Sequence, residues 1–285
     1  MNIVLAGSHS VLSSTVFHHL TNSGHSLRAV VVSQRRHGGL KSLIPITCDD
    51  IELLAMQAGI EVIALDDEAT AFNAMQACAA DVLIVACYPG LISASLAAQT
   101  RLGGFNLHPS LLPKYRGPEP LFWQFRDGAD FGVSVHRLSA QFDAGDLVAQ
   151  QKLSLADGCD YHDALHSLAT AAAQLLLDCL PQWQCHGVTA TAQNASSASY
   201  HPYPVASDFV VDCQRSAQGQ FNFMCGTRVF GHPWRCDTPM GSLWLAEALA
   251  CDAEASLAEA VIIDGASVQL QCAPGVLKAR LAARK

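Results

Sequence analysis

The sequence predicts an α/β chain: a mostly parallel, Rossmann-like sheet flanked by helices, followed by a small C-terminal β-barrel of OB-like type. Short apolar runs alternate with helical patterns through the first half of the 285 residues. The run Asp81–Cys87, DVLIVAC, is apolar at nearly every position, as a strand buried on both faces must be. The last 80 or so residues change character, with short strand-like runs separated by Gly and Pro.

Taken in order, Asn2–Gly7 reads as a strand and Leu12–Leu20 as a helix. Leu27–Ser33 is a second strand. Asp49–Ala58 is a helix behind an aspartate cap, since a carboxylate there accepts from the first free backbone N–H groups. Ile60–Leu65 is a third strand, Glu68–Ala79 a helix, Asp81–Cys87 a fourth strand and Tyr161–Leu180 a long helix. Residues 1–182 then form one domain. Trp183–Ser207, rich in Ala, Ser, Thr and Gln and ending Tyr-His-Pro-Tyr-Pro, reads as an extended linker, because each Pro drives its predecessor out of the helical region. Residues 208–285 form the second domain, with strands at Ser242–Ala246, Ala260–Ile263 and Ser267–Gln271.

Half of the residues are hydrophobic, 15% are charged, and 17 basic against 25 acidic residues leave a net charge of −8. That balance argues against a general nucleic-acid binder, which carries a basic excess. The chain enters an apolar strand at once, with no basic leader and no apolar stretch long enough for a bilayer, so a cytoplasmic protein is expected. Eleven cysteines are scattered singly, without Cys-x-x-Cys or a His spaced to complete a metal site. They read as small core hydrophobes, with Cys87 set apart because it lies near the predicted site. The first turn, Ala6-Gly7-Ser8-His9-Ser10, lacks the G-x-G-x-x-G of dinucleotide binders, and no Walker-type loop occurs.

The informative segment is Gly103–Gly117, GGFNLHPSLLPKYRG. Side chains alternate along a strand, so Asn106 and His108 share one face while Phe105 and Leu107 take the other. Pro109 stops the strand, which places the pair at the carboxyl end, where parallel sheets meet their ligands. Phe131–Leu138 repeats the alternation with Ser134 and His136 on one face, and leads into the turn Asp143-Ala144-Gly145-Asp146. These groups suit acyl transfer to an amine. An Asn amide and a protonated imidazole can donate to a developing oxyanion, and a carboxylate can keep the imidazole charged and oriented. On spacing alone, a hydrogen-bonded structural trio remains the alternative.

Asn106-Leu107-His108-Pro109-Ser110-Leu111-Leu112-Pro113-x-x-Arg116-Gly117, then Gly132-Val133-Ser134-Val135-His136, then Asp143-Ala144-Gly145-Asp146, resembles the folate-dependent formyltransferase family. The resemblance implies a catalytic trio of Asn106, His108 and Asp143. It implies a pterin pocket lined largely by the backbone of Ala86, Cys87, Tyr88, Pro89, Gly90, Leu91 and Ile92. Ser110, Leu111, Leu112, Pro113 and Arg116 should border the site, with a structural ion pair as the alternative for Arg116. His136 reads as a substrate-side or supporting histidine, or as a core one, and Asp146 as a turn residue. The donor implied is 10-formyltetrahydrofolate, with no metal. Ser199–Pro204 and Phe221-Asn222-Phe223 resemble the junction and the barrel start of the two-domain members.

For the acceptor, a tRNA would demand Lys and Arg to meet phosphates. Arg35, Arg36 and Lys41 make a thin patch, and the C-terminal domain is sparsely basic until Lys278, Arg280, Arg284 and Lys285. A small-molecule amine, an amino sugar or amino-acid derivative, is therefore the expected acceptor, with initiator methionyl-tRNA as the alternative. Water is a third acceptor, although relatives that deformylate the folate carry an extra domain ahead of the sheet. A catalytically inactive folate-binding or regulatory protein is the reading from another class.

Overall fold

A computed structural model describes residues 1–33, 50–65 and 68–283, apart from the side chains of residues 68–71 and 94. The basic residues Arg35, Arg36, Lys41, Arg284 and Lys285 lie outside them. The chain forms two compact units: residues 1–120, 130–154 and 165–201, and residues 121–129, 155–164 and 202–285.

The first unit is built on β1 (Asn2–Gly7), α1 (Val11–Thr21), β2 (Ser26–Val32), α2 (Ile51–Gln57), β3 (Glu61–Ala64), α3 (Glu68–Ala77), β4 (Val82–Ala86), α4 (Ala94–Ala97) and β5 (Gly104–His108). Two further strands, β6 (Phe131–Arg137) and β7 (Leu147–Leu153), complete a seven-stranded sheet of order β3-β2-β1-β4-β5-β6-β7. Pairing is parallel from β3 to β5 and antiparallel for β5–β6 and β6–β7. The near-continuous apolar runs belong to the central strands: β4 is buried at all five positions. Val4, Ala6, Leu83 and Val85 pack on one face with Met75, Ile92 and Leu96. Ser10 caps α1 by accepting from Ser13 N, and Asp50 caps α2 by accepting from Glu52 N at 2.9 Å.

The long helix α6 (Tyr161–His186) follows α5 (Pro120–Asp127) in the chain and runs past Leu180, through Pro181. Trp183, expected to open a linker, is instead 3% exposed and stacks on Phe105 with centroids 4.4 Å apart. That burial holds a helix that Pro would otherwise stop. The stretch beyond it is tied to the first unit: Thr191 bridges to Leu147 and Tyr200 to Arg116.

In the second unit, β8 (Val210–Val211), α7 (Ala217–Thr227), β9 (Trp234–Thr238), β10 (Gly241–Asp252), β11 (Val261–Asp264), β12 (Ser267–Gln271) and β13 (Val276–Leu281) give a sheet of order β11-β12-β13-β10-β9-β8. The unit is small and β-rich, but the barrel expectation needs correcting. The sheet is mixed, since two-residue β8 runs parallel to β9, and its order ends at β11 and β8 without a pairing that closes them among the described residues. Phe221-Asn222-Phe223 is not the start of a barrel either. It lies inside α7, where Ser216 caps the helix and Phe223 and Met224 are buried.

Candidate active site

The site forms where β5 ends. Asn106 pairs with His136 and His108 with Ser134 across the antiparallel β5–β6 contact, so one face of two strands carries all four side chains. A bulge between Val135 and His136 interrupts the ladder to β7 at this point. Asp143 reaches the same place from the loop after β6. Its Oδ1 lies 3.4 Å from Asn106 Nδ2, 3.5 Å from His108 Nδ1 and 3.7 Å from His136 Nε2, while Gly117 N–H donates to Oδ2 at 2.9 Å.

Hydrogen positions follow from the partners. His108 Nε2 faces the carbonyl of Tyr115 at 2.8 Å and so carries the hydrogen. His136 Nδ1 faces the carbonyl of Arg137 at 2.9 Å, which leaves Nε2 to accept from Asn106 Nδ2 at 3.1 Å. The Asn106 amide is thereby oriented, with its nitrogen toward His136 and Asp143.

Burial acts on the two charged partners in opposite ways. For Asp143 it would raise the carboxyl, but the His108 imidazole and the Gly117 N–H outweigh it and hold the group well below the usual carboxylate range. For His108, burial is the largest influence and pushes the imidazole below its ordinary 6.5, against the pull of Asp143 and Tyr115. Burial thus works against the protonated imidazole expected from the sequence, while the carboxylate that faces Nδ1 and the carbonyl that faces Nε2 favour it.

The expected border loop is present and internally fastened. Ser110 Oγ donates to Lys114 O at 2.9 Å, and Ser134 Oγ donates to Ser110 O at 2.6 Å while accepting from Leu112 N. Ser110 and Leu112 are buried, Leu111 and Pro113 half-buried. Leu112–Pro113 is a cis peptide. Arg116 directs its guanidinium to Gln193 Oε1 at 2.6 Å rather than to a carboxylate.

Gln193 was not anticipated. Its amide nitrogen donates to the carbonyls of Asp143 at 2.8 Å and Gly145 at 2.7 Å. One side chain thus joins Arg116 to the loop that carries Asp143, a residue at φ 55 that needs such support. Ser199 adds to this: its Oγ accepts from Tyr115 N at 2.9 Å, and His201 stacks on the Tyr115 ring. Gly117 sits at φ 118, where an added Cβ would run into the carbonyl of His201.

The expected pterin loop divides in two. Ala86 and Ile92 are core residues, whereas Cys87, Pro89 and Leu91 are exposed. The first turn holds the loop: Ser13 Oγ donates to Ala86 O and Ser8 Oγ to Cys87 O, each at 2.6 Å. Gly7 lets the turn come this close, because a Cβ there would stand 3.0 Å from Ala86 O. Among the described residues, no group is arranged to hold a metal ion.

The family model for formyl transferases matches residues 1–180. The chain belongs to the formyl transferase family. Its fold is also that of solved structures at low identity. An N-formyltransferase from Helicobacter canadensis, solved with folinic acid and dTDP-3-aminofucose, superposes at a TM-score of 0.70, with 12% identity over 98% of both chains. The sugar 3N-formyltransferase WlaRD, solved with dTDP and 5-N-formyl-THF, gives 0.71 and 12% over 100% of this chain and 99% of that one. A 4-N formyltransferase from Francisella tularensis gives 0.59 and 14% over 86% and 96%.

Proposed function

We propose that this enzyme transfers the formyl group of 10-formyltetrahydrofolate to the primary amine of a small molecule, an amino sugar in the first instance, with Asn106, His108 and Asp143 as catalytic residues. The observation that carries the reading is the convergence of all three on one point at the carboxyl end of β5, in a family of formyl transferases. The relatives solved with formyl-folates and a dTDP-amino sugar support the donor and the acceptor class.

The residues fit the donor. Cys87, Pro89 and Leu91 offer an exposed apolar surface suited to the flat ring of a pterin, and the Ser8 and Ser13 bonds fasten its start at Cys87 and Ala86. When bound, the folate supplies an activated formyl carbon. Negative charge then develops on the formyl oxygen as the amine attacks, and Asn106 Nδ2 can meet it. Its 3.4 Å contact with Asp143 is weak for a hydrogen bond and is the one to exchange. The amine must lose a proton, and His108 Nδ1 is the lone pair poised to take it. Asp143, ionised and 3.5 Å away, stabilises the imidazolium as it forms, and that imidazolium would return the proton to the folate nitrogen as its bond to the formyl carbon breaks.

The test is formyl transfer from 10-formyltetrahydrofolate to a panel of nucleotide-linked amino sugars, free amines and initiator methionyl-tRNA. Turnover on a sugar amine supports the proposal. Folate binding without transfer to any acceptor would favour an inactive binding protein.

A further inference from the structure

Three cysteines from separate stretches of the second unit meet at one place. Cys213 follows β8, Cys236 lies within β9, and Cys272 follows β12. Val211 pairs with Cys236, which brings the residues after β8 alongside that strand. On the other side, Ala273 N–H donates to Arg215 O at 3.0 Å and draws the 272–274 turn against the same loop. The sulfurs of Cys213 and Cys236 are 3.6 Å apart, and Cys272 is near enough to Cys213 to act on its thiol. Cys236 and Cys272 are buried at 0% and 4% exposure, while Cys213 is half-buried and open to small reagents.

The thiols are not equivalent. Pairing with Cys236 and Cys272 pulls the Cys213 thiol down and, with burial, pushes the other two up, and Cys213 is also the least buried of the three. A thiolate flanked by donors and reachable from solvent is the form that attacks an electrophile. A core hydrophobe would have no need of two sulfur partners.

We propose that Cys213 and Cys236 form an oxidation site, separate from the catalytic centre, at which a peroxide converts two thiols into a reversible disulfide. The Cys213 thiolate attacks one peroxide oxygen, breaking the O–O bond and releasing hydroxide, which leaves a sulfenic acid. The Cys236 thiol then attacks that sulfur and the S–OH oxygen leaves as water with the thiol proton. Two thiols are oxidised, one peroxide is reduced to two waters, and a thiol reductant reverses the change. The link would close a stretch that contains the whole of α7.

Intact protein is treated with limiting hydrogen peroxide, alkylated, digested without reductant and mapped by mass spectrometry. The expected result is a peptide pair joined through Cys213 and Cys236, with loss of both free thiols together and recovery of both on addition of a dithiol. Cys213→Ser, a change at a half-buried position that keeps the shape, should abolish the link and leave Cys236 and Cys272 as thiols. Oxidation of the exposed Cys87 or Cys185 while Cys213 stays free would overturn the proposal. So would a wild-type map in which Cys213 is joined to Cys87 or Cys185 as often as to Cys236.

Discussion

At the scale of residues, the site depends on Asp143 meeting three nitrogens at once. Asn106→Ala, His108→Ala and Asp143→Asn should each lower kcat by about 100- to 1,000-fold, the usual loss for one preorganised donor or its partner. Folate affinity, measured by equilibrium binding, should stay within a few-fold of wild type, because the loop proposed to hold the pterin is fastened at Ala86 and Cys87 by Ser13 and Ser8. Near-normal turnover in the Asn106 or His108 variant would remove the catalytic assignment. A second expectation follows from burial of His108. In an isotope-edited NMR titration of the unliganded enzyme, a buried imidazole besides His25 should titrate below the ordinary 6.5, and its signal should vanish in His108→Ala. A value above 6.5 would restore a resting imidazolium. The sign carries into stability: a depressed His pKa means the unfolded chain binds the proton first, so stability is lost as pH falls below 6.5. The depressed Asp143 adds a further loss as pH falls below its ordinary 3.8. The proximity of Asn106, His108 and Asp143 was legible because strand alternation and a turn motif are local signals, whereas the roles assigned to them rest on the family resemblance. The lowered His108 pKa was not, since it comes from packing rather than from neighbours in the chain.

At the scale of elements, residues 187–201 act as a strap and not as free chain. Gln193 binds Asp143 O, Gly145 O and Arg116, while Ser199 O accepts from Arg116 N–H and His201 N–H donates to Arg116 O. Gln193→Ala should loosen the loop that carries Asp143 and lower kcat by up to about 100-fold, the scale of loss for a misplacement near 1 Å. KM for the folate should hardly change, because the pterin loop is fastened by Ser8 and Ser13. A steady-state comparison decides it: a raised KM with kcat intact would mean that Gln193 serves binding instead. The strap was unreadable in the sequence for a clear reason. Its long-range partners are 44 to 86 residues away, and a run of Ala, Ser, Thr and Gln has no periodicity to betray them. Helix α7 was hidden differently, by two glycines and two phenylalanines of poor helix propensity that tertiary burial overrides. The strands β1 and β4, apolar at nearly every position, were readable because both their faces are covered.

At the scale of the whole molecule, charge decides between acceptors. A tRNA contributes phosphates that need several Lys and Arg, and its binding falls steeply with salt. The chain carries a net −8, and the described basic residues of the second unit are partly spent. Arg280 and Arg228 both pair with Glu247 at 3.3 Å, and Arg235 pairs with Asp237. Exposed pairs of this kind contribute little stability, but each reduces the positive field offered to a polyanion. A sugar-linked amine needs no such field, only a pocket and a few placed polar groups. Turnover on the small amine should therefore change by less than about 3-fold between 50 and 200 mM salt, whereas a protein making 6 to 10 phosphate contacts loses about 10³- to 10⁵-fold in affinity over that range. Measuring kcat/KM for both acceptors across it separates the readings. Efficient transfer to initiator methionyl-tRNA that collapses with salt, and is flattened when Arg35, Arg36 and Lys41 are replaced by Ala, would move the acceptor to tRNA. The roles argued for Asn106, His108 and Asp143 would stand in either case, because they concern the formyl carbon and the attacking nitrogen, which both acceptors share.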